Sequence, residues 1–139
     1  MESTKDITSQ IKTCADLRAK LADYFGTENY YVLPYADDCF IKRFVMRYTD
    51  GVRKMAQLTE GYWLLDALQS LMPKIRCNIY TREFALVRLT VENSRGTLDI
   101  LPDSDAEPKF RQIIPFTDFP EGTFEMYLEN GVLLLPREH

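Results

Sequence analysis

The chain has 139 residues, 45% of them hydrophobic, with 17 Lys and Arg against 21 Asp and Glu and a net charge of −4. This length fits one compact domain over residues 1–139, which buries roughly two thirds of its unfolded surface without a disulfide or metal staple. The acidic balance argues against a general nucleic-acid binder, and no apolar run reaches the roughly 18 residues of a membrane span.

Residues 5–25 read as an amphipathic helix. Ile7, Ile11, Cys14, Leu17, Leu21 and Phe25 recur at steps of three and four, and Gly26 follows as a C-terminal cap. Residues 29–34 and 39–46 are rich in aromatic and β-branched side chains and predict two short strands around Pro34 and Asp37-Asp38. Asp50 then reads as the N-cap of a helix with Val52, Met55, Ala56 and Thr59 on one face. Gly61 marks a weak point. Tyr62 to Met72 continue as a second helical piece with Leu64, Leu65, Leu68, Leu71 and Met72 buried, and Pro73 is expected to end it.

The last third predicts strands. Ala85, Val87, Leu89 and Val91 share one face, and residues 92–96 turn into a strand over 97–101. The acidic loop 102–108 leads to a strand at 109–116, and residues 117–122 form another loop. Asn130-Gly131 sits between the apolar runs 124–129 and 132–135, the strongest short hairpin signal, because both residues tolerate positive φ. The expected fold is α+β: an N-terminal helix, a short hairpin, a helical pair, then a C-terminal antiparallel meander of about four to five strands packed on the helices.

Catalytic equipment is sparse. The single histidine is His139, at the chain end, where the fixed geometry of a dyad or triad is hard to build. Cys14, Cys39 and Cys77 are odd in number and widely spaced, with no Cys-x-x-Cys pair. They read as free thiols in a reducing compartment, and no metal or cofactor is expected. The N-terminus lacks the apolar core of a secretion signal, so a cytoplasmic location is expected. No phosphate-cradling glycine loop is present. Asp103, Asp105 and Glu107 alternate as in a calcium loop, but Pro108 and Ile114 stand where glycine and glutamate are required, so the segment reads as a solvated turn.

Three constellations remain. Residues 41–54 hold five basic residues and one acid, Asp50. There Lys42, Arg43, Arg47, Tyr48, Arg53 and Lys54, beside Phe40 and Phe44, suit a partner surface: an acidic protein, or single-stranded nucleic acid by stacking and phosphate pairing. The plainer reading is a half-buried strand with a basic outer face. Residues 1–77 carry a net +1 and residues 78–139 a net −5; an acidic sheet face could bind a basic partner or mimic a nucleic-acid backbone, and plain solubility is the simpler reading. Asp66 lies inside the apolar helix YWLLDAL, beside Tyr62-Trp63, a pair that fills a core or lines a groove, core filling being the favoured reading. The Asp66 carboxylate either faces water or pairs with a buried donor, since an unpaired buried charge is costly, and a half-buried pair with Arg53 is the specific expectation; a catalytic acid is the sharper alternative.

Four blocks, FGTENYY (25–31), YTDGVRKMAQLTEGYWLLDAL (48–68), FTDFP (116–120) and LENGVLLLP (128–136), resemble an uncharacterised bacterial and phage family classed only as a domain of unknown function. The resemblance implies a small α+β domain in a phage or mobile-element setting, and supplies no activity and no catalytic residue. Asp50, Trp63, Asp66, Asn130 and Gly131 read as structural. The leading expectation is a non-catalytic protein-binding module, an accessory or host-interaction protein. The alternatives are single-stranded nucleic-acid binding through 40–54 and a histidine-free enzyme using Asp66. No membrane partner is expected; a homodimer through the last hairpin is the further option.

Overall fold

The computed structural model describes residues 11–24, 29–36 and 41–138. The readings on Ile7, Phe25, Gly26, Asp37, Asp38, Cys39, Phe40 and His139 lie outside them.

Helix α1 runs over Cys14–Lys20. Thr13 and Asp16 form a capping box: the Asp16 amide donates to Thr13 Oγ1 at 3.2 Å, and the Thr13 amide donates to Asp16 Oδ2 at 3.1 Å. The Thr13 and Lys12 amides, both donating to its Oδ2, hold the Asp16 carboxyl below its usual range. Ile11, Cys14, Leu17 and Leu21 are buried as their spacing requires, but the described helix is shorter than the one expected.

Strand β1 covers Tyr30–Val32 and β2 covers Arg47–Thr49. The strand expected at 39–46 is absent over its described part. Lys42–Phe44 forms a 3-10 turn instead. Buried Gln69 explains the change. Its Nε2 donates to the Phe44 carbonyl at 2.6 Å and its Oε1 accepts from the Met46 amide at 2.8 Å, taking backbone groups that a ladder would use.

Helix α2 spans Asp50–Thr59 and α3 spans Tyr62–Cys77. The N-cap of α2 is Thr49, one residue before the expected Asp50. Glu60, at φ 54°, ends α2, and the break falls where Gly61 indicated. Pro73 does not stop α3, which continues to Cys77. Pro73 is on the exposed side, while Met72 and Ile75 are buried on the other. Their burial outweighs one missing helical hydrogen bond.

The remaining strands are β3 (Phe84–Glu92), β4 (Arg95–Leu101), β5 (Phe110–Ile114), β6 (Gly122–Glu129) and β7 (Val132–Leu134). Asn93 and Ser94 at φ 53° and 63°, and Asn130 and Gly131 at φ 51° and 84°, make the two tight hairpin turns. The order is β1-β2-β7-β6-β3-β4-β5, seven strands in all among the described residues. The α+β class therefore holds, with more strands than expected and no simple meander. β6 pairs with β3, leaving β5 at one edge, and β2 joins β7 in parallel. β7 thus lies between two neighbours, so the apolar edge imagined for self-pairing is occupied.

The helices cover one sheet face, where Ala85, Val87, Leu89, Val91, Leu98, Ile100, Phe124, Met126, Leu128 and Leu133 join Leu17, Val52, Met55, Leu64, Leu65, Leu68 and Met72 in one core. The opposite face carries a cross-strand charge row. Glu125, Arg88, Asp99 and Arg111 are neighbours in register on β6, β3, β4 and β5. Arg88 Nε meets Glu125 Oε2 at 2.8 Å, and Arg111 grips Asp99 through two nitrogens at 2.6 and 3.2 Å.

Candidate binding face of tyrosines and an arginine

The segment 42–54 does not form one surface. Successive strand residues point to opposite faces. Tyr48 therefore turns under the helices and is buried, while exposed Arg47 turns to the other face. Arg43 Nη2 donates to the Arg76 carbonyl at 2.6 Å and its guanidinium stands 5.7 Å from the Phe44 ring centre, so it closes the end of α3. Exposed Lys42 sits on the same 3-10 turn, and Lys54 is half-buried on α2.

Arg53 goes elsewhere. Tyr31 and Tyr48 are partners across β1 and β2, with ring centres 5.8 Å apart. One turn into α2, the Arg53 guanidinium lies 4.5 Å from the Tyr31 ring centre, within cation–π range. The Tyr31 hydroxyl donates to Asp50 Oδ1 at 2.8 Å, fixing the ring that Arg53 covers. Tyr62 at the start of α3 completes the group: the Arg53 guanidinium is held above its ordinary pKa by the Tyr31 hydroxyl first and by Tyr62 as well. Burial pushes the Tyr48 phenol up, and Arg53 opposes that shift. These groups offer donors and aromatic surface rather than an activated nucleophile.

The expected Arg53–Asp66 pair does not form. Asp66 lies on the exposed side of α3 and accepts from the Tyr35 hydroxyl at 2.9 Å. Partial burial and that carboxylate raise the Tyr35 phenol. The charge is solvated, so it needs no buried partner. Asp50 serves as the acceptor for Tyr31 rather than as a cap. Trp63 packs half-buried against the core, edge-on to Phe119 at 6.4 Å, while its neighbour Tyr62 is 38% exposed, so the pair splits between core and surface.

The solvent side of this region is aromatic. Tyr35 and Tyr62 are 56% and 38% exposed, whereas Tyr30, 58% exposed, turns to the other sheet face. Arg53 and Arg47 pair with no carboxylate among the described residues. Sequence reasoning named Arg53 and Tyr48 but passed over Tyr31, Tyr35 and Tyr62 as a group. The usable signal was alternation: once Tyr48 faces the core, its partner Tyr31 faces α2 and Arg53. Among the described residues no group of three or more His, Cys, Asp or Glu is placed to hold a metal ion, and no helix is long and apolar enough to cross a membrane.

Fold and site together define an α+β protein, helices on one face of a mixed sheet, with a tyrosine–arginine face at the β1 end. Residues 15–139 match the family of unknown function DUF6876, and the chain belongs to that family. No curated protein and no solved structure matches it.

Proposed function

We propose that this protein is a non-catalytic protein-binding module, an accessory protein that works by occupying a partner's surface through the face built by Tyr31, Tyr35, Arg53 and Tyr62. One observation carries the reading: a guanidinium without a carboxylate partner among the described residues, lying over half-buried Tyr31 and flanked by exposed Tyr62. Tyrosine and arginine dominate the energetics of protein interfaces, because each brings large contact area with a polar end at low ordering cost. Among the described residues, the free thiols Cys14, buried, and Cys77, exposed, fit a reducing interior such as the cytoplasm.

The test compares quantitative captures by wild-type protein, Arg53→Glu and Tyr62→Ala, with Arg47→Glu as a control on the opposite face. A partner protein should be retained by wild type and control and lost from both face variants, at unchanged melting temperature. Identical capture by all four proteins refutes the face. Single-stranded nucleic acid is the competing outcome. It would appear as labelled DNA or RNA bound at low salt, released steeply as salt rises, and weakened by Arg43→Glu and Arg47→Glu as well.

A further inference from the structure

The opposite end of the sheet offers a second surface of different chemistry. β5 ends the strand order, so among the described residues no strand pairs with its outer side. An unpaired edge presents backbone donors and acceptors to any extended segment of matching length. Alternation sends Phe110, Gln112 and Ile114 to the helix side and Arg111 and Ile113 to the other; Phe110 packs on the core, and Arg111 grips Asp99. Two residues beyond the strand, Phe116 is 67% exposed.

Phe116 is one wall of a groove of about 370 Å³, with Trp63, Ile114 and Phe119 as further apolar surface and Glu60 and Asp118 as charges. No lysine or arginine lines it, and neither acid is in an ion pair among the described residues. The left-handed end of α2 places Glu60 there. Aromatic walls with two carboxylates match one kind of visitor: a cation on an aliphatic stem.

We propose that this groove receives a lysine or arginine side chain of a partner protein, delivered by an extended segment that adds as a strand to β5. The main-chain ladder supplies general affinity. The groove selects the basic residue through its two carboxylates, while the stem lies on Phe116 and Trp63. This surface does not depend on the tyrosine–arginine face and can be tested apart from it.

The probe is a displayed library of acetylated peptides, Thr or Val fixed at alternate positions and the rest randomised, selected on the whole chain. Selection should enrich Lys or Arg at one position. The synthetic winner should bind about tenfold more weakly to the Glu60→Gln/Asp118→Asn double variant, the size of a lost charge-assisted contact, and similarly to Phe116→Ser. Arg53→Glu should bind it normally. N-methylation of the peptide's alternate amides should abolish binding in one parity and spare it in the other. No enrichment, enrichment without a basic residue, equal binding to folded double variant and wild type, or equal effects of both N-methyl parities would each overturn the proposal.

Discussion

Gly51 offers a test in which local propensity and tertiary contact point in opposite directions. It lies in the first turn of α2, where alanine normally gains roughly 0.5–1 kcal/mol over glycine. Here an added Cβ would stand 2.6 Å from Glu138 Oε1 and 2.6 Å from Leu135 Cδ1. The Glu138 carboxylate accepts from Thr49 Oγ1 at 2.6 Å, the Leu135 amide at 3.0 Å and the Gly51 amide at 3.2 Å. It neutralises the positive end of the α2 dipole and ties the chain's last turn to that helix. Eviction would lose these bonds. At about 1 kcal/mol each, reduced for half-burial, the loss is roughly 2–3 kcal/mol, and the propensity gain recovers under half.

Gly51→Ala is therefore expected to destabilise by about 2 kcal/mol, lowering Tm by roughly 6–8 °C at this size. Urea titration should show a lower midpoint at unchanged slope. The decisive measurement is a double-mutant cycle with Glu138→Ala. Once the carboxylate is gone, only the Leu135 methyl still crowds the new Cβ, so Gly51→Ala should cost at least about 1 kcal/mol less than in the wild-type background. If Gly51→Ala raises Tm in the wild-type background, or if the two costs simply add, the latch is not what the glycine is there to admit.

Burial pushes the Cys14 thiol from 9.0 up to about 11. The neutral thiol is favoured in the folded chain, so its stabilisation is complete below pH 9 and is lost as pH rises through 11. Between pH 8 and 10.5, wild type should lose about 1–2 kcal/mol more than Cys14→Ala by urea midpoint, and parallel losses would contradict this. In the charge row, the Asp99 side chain is 10% exposed and that of Glu125 is 40% exposed. Asp99→Asn should cost about 2 kcal/mol and Glu125→Gln under about 1 kcal/mol, an order that chemical denaturation checks. Pro73 sits inside α3. Pro73→Ala should raise stability by about 1–2 kcal/mol, less than the helix scale alone because the unfolded chain also gains freedom; a lower Tm would show that the proline's ring packing matters more than the hydrogen bond.

The helical stripes, both tight turns and the inward face of β3 were legible because each depends on local periodicity or positive φ alone. The strand order was not. Pairing β6 with β3, and β2 with β7 in parallel, is decided by long-range burial that leaves no local mark. The 3-10 turn at 42–44 and the N-cap at Thr49 failed for the same reason: Gln69 and Glu138, 23 and 89 residues away from the groups they hold, settle them. The basic segment 42–54 is contiguous in sequence but not in space, because β2 turns successive side chains to opposite faces.

That alternation gives β2 its part in the candidate site. Its three residues face three tasks: Arg47 stays on the outer sheet face, Tyr48 goes under the helices against Tyr31, and Thr49 caps α2 while holding Glu138. The start of α2 is thus fixed from both sides, by Thr49 and by Glu138, and Arg53 follows within its first turn. A helix shifted by even one residue would rotate Arg53 by about 100° away from Tyr31. The short strand is consequently the element that couples the end of the chain to the tyrosine–arginine face. The position of the guanidinium therefore rests on the latch as well as on the contacts the arginine makes itself, since a single exposed cation–π contact is weak.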